Sequence, residues 1–600
     1  MTRFLIALFL IFLTGPALAQ DEQERDRSLI VGFIEDALSD GAARSVRIDG
    51  FSGALSSTAT LERLTVADAD GVWLTIENAE LNWNRSALFA GQVDITRLAA
   101  ERIALERLPV SEGGDMPPPE AVPFSLPDLP VSIQIGELQV DRIELGAPLL
   151  GFEVLASASG SVSLAGGEGT AALDLTRLDG PEGVFALAAS YSNETGVLDL
   201  NLELTEDAGG IAATLLDIPE TPSVELAVEG SGPLNDFAAD ITLSTDGEPR
   251  LSGDVTLSQS DAGARQLAVD LSGDVARLLA PDYQPFFGNS VSLQALAITA
   301  PDGAMVLDRF EITTASLSVS GSGALDPSGT PERFSLTMLM RPAEGELVRL
   351  PIPGQRVEAA SADISLSYDR TAGDSWQGQA SLIDLRLDTM RLDEAQLDMS
   401  GTILTPDNTL EGVTAEVAAS FEGLTLEDDA LQQAVGSAGQ AGFDLVWSDG
   451  DPVEITDLTL STRNAQLSGS ADFTTPEEQL MLALQLEGML PDLSAFSALA
   501  GSDLEGAVAV ELRGAVELLS GAFDLRVDGT GQEIVLGVGE PEGILAGETV
   551  ISALAIRDED GLRIDNLQVE GQEITASGSV ALASDASRVQ LDAALREAGL

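Results

Sequence analysis

The chain has 600 residues, with 30 basic against 98 acidic side chains and a formal net charge of -68. All the bases are Arg, and Lys, His and Cys are absent. So acidic a surface repels phosphate backbones, which excludes nucleic-acid binding, while a hydrophobic fraction of 44% excludes disorder. The missing residue types also exclude Ser-His-Asp, Cys-His and Ser-Lys nucleophile systems and His/Cys zinc sites. Only carboxylate, hydroxyl and backbone chemistry is left, and the sequence assigns no catalytic, cofactor-binding or metal-ligating residue.

The chain opens with Arg3, an apolar run from Phe4 to Leu13 and the A-x-A pattern Ala17-Leu18-Ala19. This pattern predicts a secretory signal peptide over residues 1–19, cut before Gln20. The other reading is an uncleaved membrane anchor, which the short core and Pro16 disfavour. Either outcome sends the chain out of the cytoplasm, into the cell envelope. Arg27 to Asp40 predicts a helix, with Ile30, Phe33, Ile34 and Leu38 on one face.

From Val46 onward apolar and polar residues alternate with period two, the signature of strands. Asp70-Gly71, Asp302-Gly303, Asp449-Gly450 and Asp560-Gly561 fall between such runs, as hairpin turns do. The proline-rich stretch Leu108 to Pro130 predicts an extended linker, placed between a segment 20–107 and a repetitive β region 131–600. Val275 to Gly288 and Pro491 to Gly501 predict short helical crossovers. With roughly 13 residues per strand and turn, the chain would hold on the order of 40 strands, stacking to ~200 Å at ~4.8 Å each.

Three stretches repeat one another, beginning at Leu307, Ile455 and Ile564. Phe310, Leu458 and Leu567 each stand ten residues before the Ser of a Ser-Gly step, at Ser320, Ser468 and Ser577. In the strand that carries Ser-Gly, parity places Leu317, Val319, Gly321, Gly323 and Leu325 on one face, with Ser318, Ser320 and Ser322 on the other. The second copy sets Leu467, Gly469, Ala471 and Phe473 on the apolar face, and the third sets Ile574, Ala576, Gly578, Val580 and Leu582 there. A mid-strand glycine marks a bend, a bulge or a close approach. Gly321, Gly469 and Gly578, with Gly160 and Gly253 elsewhere, therefore predict strands that bend and curl together into a trough. The copies are 148 and 109 residues apart, which is against a solenoid of one short period.

Val46 to Val110 carries Ile48-Asp49-Gly50-Phe51 with Gly53, then Gly71-Val72-Trp73-Leu74, then Leu81-Asn82-Trp83-Asn84 leading into Leu88. In this order the motifs resemble the N-terminal region of the TamB branch of the AsmA-like, bridge-like lipid transfer family. The proline-rich stretch and the later Ser-Gly strands continue the resemblance over most of the chain. It implies an inner-membrane-anchored periplasmic protein built as an elongated, open, taco-like β-groove with a hydrophobic inside and a few short helices. It further implies a role in outer-membrane biogenesis, as a conduit for phospholipids and as partner of a TamA-like outer-membrane barrel in protein assembly and secretion. On that reading Leu317, Val319, Leu325, Leu467, Ala471, Phe473, Ile574, Ala576, Val580 and Leu582 are lipid-facing. The family's C-terminal domain, which would meet the barrel, is expected to lie beyond this chain, which stops inside an alternating run.

Period two alone does not separate an open groove from a closed β-sandwich or β-helix whose apolar face is its core. A closed form would suit a secreted, carboxylate-dependent polysaccharide-active enzyme or an adhesin. Yet the carboxylates are spread evenly over polar-face and turn positions, and aromatics make up only 4%. The sequence favours a protein that is not an enzyme. Turns such as Asp68 to Gly71 and Asp558 to Gly561 lack the length and closing Glu of a Ca2+ loop.

Overall fold

A computed structural model describes residues 45–595 except 54–55, 110–124, 128–130, 343–345, 353–355, 388, 407–408, 449–451, 475–480, 518–519, 538–543, 559–560 and 583–586. The expected signal segment, the helix at Arg27 to Asp40 and the Asp449-Gly450 turn lie outside the described residues. The rest is mostly β, with helices of three to seven residues in the connections. No helix among the described residues is long and apolar enough to cross a membrane.

Two compact units are present. One ends at Gly303, and the other runs from Ala304 and includes Pro285–Phe287. In the first unit, strands from Ser45–Asp49 to Val291–Thr299 pair with their chain neighbours. All these pairs are antiparallel except Gln92–Leu105 with Ser132–Leu145, which run parallel. A parallel pair requires a crossover connection between its strands, and the residues that separate these two strands in the chain include the proline-rich stretch. Sheet pairing therefore continues across this stretch. One described piece of it, Leu126, exchanges two hydrogen bonds with Asn193, of 2.8 and 2.9 Å.

In the second unit an antiparallel meander runs from Met305–Thr313 to Ser587–Leu595. No pairing among the described residues joins these two end strands, so the sheet is open and the closed sandwich or helix is not formed. In a meander, alternate connections fall on opposite rims. One rim of this unit takes the long connections 341–360, 423–437, 491–504 and 536–547, and the other takes short turns. The crossovers expected at 275–288 and 491–501 are present as short helical turns, among them Gln284–Phe287, Leu493–Phe496 and Ser497–Ala500. The glycines of the described Asp-Gly turns take positive φ, 108° at Gly71 and 96° at Gly303, which a side chain would resist.

Among the described residues there is no single central core. Instead, small apolar clusters sit where each long connection folds back onto the sheet.

Candidate functional site

Because each strand alternates and the register is regular, residues of one parity line up from strand to strand. In the first unit the row Leu138, Gly160, Leu173, Leu187, Leu202, Val228, Ile241, Gly253, Leu271, Leu293 crosses ten strands without a polar side chain. In the second unit Gly321, Leu336, Leu366, Gly378, Met399, Val417 and Phe443 form one such row. Gly469, Leu486, Leu512, Val527 and Ala553 form another. Adjacent residues of opposite parity make polar rows, such as Ser320, Thr337, Ser365, Gln379 and Asp398. Each unit is thus a single sheet with one apolar and one polar face.

The apolar face of the second unit is graded. Along its middle, Leu336, Leu366, Met399, Val417, Leu486 and Leu512 are half-buried. Toward the rims, Met340, Ala362, Tyr368 and Ile403 are only 2–5% exposed. At the long-connection rim the cover comes from the connections themselves. Phe286 packs against Met340 and Ala362; Leu424 and Val435 lie against Leu392 and Ala395; Leu493 and Leu545 contact Val508, Ile551 and Val569. The result is a half-open apolar strip with one roofed margin.

The repeats have a structural meaning that period two did not reveal. Two residues of the anchor strand oppose one residue of the Ser-Gly strand in every copy: Asp308 and Arg309, Thr456 and Asp457, Asp565 and Asn566. Each is a β-bulge, which bends its strand. Asp457 and Asn566 take left-handed φ of 50° and 53°, a region Asp and Asn tolerate. In two of the copies the turn after the bulged strand is capped by a long connection. The Phe287 and Phe286 carbonyls accept from Ala315 N and Ser316 N at 3.0 and 3.2 Å. Asn464 Nδ2 donates to the Gln433 and Ala434 carbonyls at 3.0 and 3.2 Å. In the first unit a long connection likewise holds a turn, with Asp246 N donating to the Ser223 carbonyl at 3.2 Å, but the register shift there lies after the turn, at Arg250. Asp or Asn directly before an anchor leucine was the only sequence signal for any of this.

The bend expected at the glycines therefore lies one strand away. The Ser-Gly strand Gln466–Thr474 keeps a regular register with Met481–Leu490, and its glycine marks a close approach. A Cβ on Gly469 would run into the Gln485 carbonyl, and one on Gly578 into the Gln590 carbonyl. Gly321 is looser, with the Ser335 carbonyl 3.3 Å from such a Cβ.

Of the expected face, Leu317, Val319, Leu467, Phe473, Ile574, Ala576 and Val580 are half-buried, and Ala471 is 4% exposed. Leu325 departs from the pattern. It is 36% exposed beside a 3% exposed Ala324, because a register shift separates the two. The side chain of Leu582 lies outside the described residues. Ser320 and Ser468 are exposed, whereas Ser470 and Ser579 are half-buried, since each stands opposite the extra residue of a bulge.

Charge lies mostly on the polar face and in the turns; Glu206, 4% exposed at the end of its strand, is an exception by parity and accepts from Ile211 N and Ala212 N at 3.1 and 2.7 Å. In the first unit Glu77 accepts from Arg63 at 2.7 Å and from Arg102 at 3.1 Å, and Arg102 also pairs with Glu144 at 2.5 Å. The hydrogen bond from Arg63, then that from Arg102, holds the Glu77 carboxyl below the usual glutamate range. Further along, Glu229, Asp240, Asp254 and Asp270 stand directly opposite one another on four successive strands. In the second unit two hollows, of about 750 and 450 Å3, open on the polar face. Ser468, Glu487, Glu511 and Asp528 line the larger. Among the described residues no group of three or more acidic side chains is placed to hold a metal ion.

The chain matches no family model, no curated protein and no solved structure.

Proposed function

We propose that the apolar face carries the acyl chains of phospholipids, and that the protein is a non-enzymatic bridge in the cell envelope. Its path runs from the inner membrane across the periplasm toward the outer membrane. The observation that supports this is the unbroken apolar row, ten strands wide in the first unit. A sheet face meant only to be wet would not hold leucine, valine and isoleucine in register on every strand. Exposure to water costs about 0.8 kcal/mol per methylene, so a chain of about 16 carbons meets a barrier on the order of 10 kcal/mol unaided. A strip of half-buried leucines lowers that barrier while the head group stays in water. A uniform strip gives no direction, so any driving force comes from outside the chain. Support for outer-membrane protein assembly with a TamA-like barrel belongs to the same reading, on the resemblance of Val46 to Val110.

The test sets the two faces against each other. Photo-crosslinking side chains at Phe473 and Val580 should capture phospholipid in cells, whereas those at Ser468 and Ser577 on the opposite parity should not. Val580→Glu should abolish lipid loading, because an unpaired carboxylate on a dry strip costs several kcal/mol, and Ser577→Glu should leave it intact. Equal capture on both faces would rule the reading out.

A further inference from the structure

In the second unit the connections 423–437 and 491–504 leave the sheet four strands apart, a separation of about 19 Å in a flat sheet. Yet helix Asp429–Val435 packs against the turns Leu493–Phe496 and Ser497–Ala500. The bulge at Asp457 lies in one of the four intervening strands, and a bulge bends its strand locally. The two partners are held very differently. Helix Asp429–Val435 is fastened at its start, at Gln432 and at Ala434. Asp428 accepts from Ala430 N and Leu431 N at 2.8 and 2.9 Å. Gln432 bonds Leu424 O and Leu426 N at 3.1 and 2.7 Å, and Ala434 is 0% exposed.

Ser497–Ala500 has no buried residue and presents Leu499 at 52% exposure. Its ties to the following chain run through one residue, Ser497, whose Oγ accepts from Leu504 N at 2.9 Å and donates to Leu504 O at 3.3 Å and whose carbonyl accepts from Ser502 N at 3.2 Å. It ends at Gly501 in the left-handed region, φ 70°, a position that can turn without side-chain hindrance. Leu493, 8% exposed, pins the other end of the segment to the apolar face.

We infer that Ser497–Ala500 is a latch, pinned at Leu493 and hinged at Gly501. It closes against the fixed catch Asp429–Val435 and governs sideways entry of acyl chains to the apolar face beneath. The inference rests on the acyl-chain reading for its cargo, but the movement of the latch does not. Few buried contacts and solvent-exposed backbone bonds mark segments that open locally, and gating by such segments sets many rates of ligand entry.

The absence of Cys makes a locking experiment clean. Leu431→Cys with Leu499→Cys, bridged by a bismaleimide, fixes latch to catch. Loading of a phosphatidylcholine with a fluorescent acyl chain should slow about fivefold when bridged. Photo-capture at Leu467 should fall, while capture at the distant Leu336 stays constant. Loading at the unlocked rate would overturn the latch. Capture at neither leucine before locking would instead sink the acyl-chain reading. In that event hydrogen exchange still decides. The amides of Ser497–Ala500 should exchange about tenfold faster than those of Gln432 to Gly436, and equal protection would overturn the latch.

Discussion

Gly321 and Gly469 occupy the same position in two repeat copies, yet they stand in different surroundings. A Cβ on Gly469 collides with backbone, whereas one on Gly321 meets the Ser335 carbonyl at 3.3 Å and Leu336 Cδ1 at 3.4 Å. Gly469→Ala should therefore destabilise the second unit by about 1–3 kcal/mol, as overpacking does. Gly321→Ala should cost less than about 1 kcal/mol. Urea midpoints of the two variants check this, and equal losses would show that close approach is not the reason for the glycine. Glu77 allows a second test at this scale. Its carboxyl is held below the ordinary range by Arg63 and Arg102, so its contribution is complete above the unfolded-state value. That contribution is lost as pH falls through the folded one. Melting temperature should drop below about pH 4.5, with a shallower slope in Glu77→Gln.

At the scale of the element, the repeat is a bulged strand, a capped turn and a Ser-Gly strand. The cap is a side chain with two carbonyl partners, Gln433 and Ala434. Asn464→Ala removes both bonds, and at roughly 1 kcal/mol each it should cost about 1–2 kcal/mol and raise hydrogen exchange in Asp429–Val435. The bulge itself depends on a left-handed residue. Asp457→Val should cost about 1–2 kcal/mol and Asp457→Gly almost nothing. If the two variants melt together, the backbone at Asp457 is not what shapes the strand. The alternation and the turn positions were legible in the sequence because a two-residue period and Asp-Gly chemistry are local. The bulge was not, since it exists only relative to the strand opposite.

Across the whole molecule, a net charge of -68 has to be accommodated, and the two faces of each sheet divide the work. The apolar rows carry no charge through their middle, so carboxylates crowd onto the other face. Glu229, Asp240, Asp254 and Asp270 meet directly across strands, an arrangement that is destabilising. Added salt screens such repulsion over a Debye length of about 8–10 Å. Melting temperature should therefore rise by a few degrees between about 10 and 150 mM NaCl at neutral pH, where most proteins respond weakly. A flat response would show that repulsion along this row does not limit stability.

Composition and period two determined that this chain is a β protein with one greasy and one wet face, since both follow from residue type and local geometry. They also determined that the chain has neither His, Cys nor Lys to build the common nucleophiles. Tertiary structure decided that the sheet stays open and that successive greasy faces fall into register as a strip. It also decided that the bulges sit at Asp457 and Asn566 rather than at the glycines, and that Leu325 is more exposed than its neighbour Ala324. The physical reason is that register, bulges and closure are relations between strands far apart in the chain. A one-residue shift in pairing moves a side chain to the other face without changing a letter of the sequence.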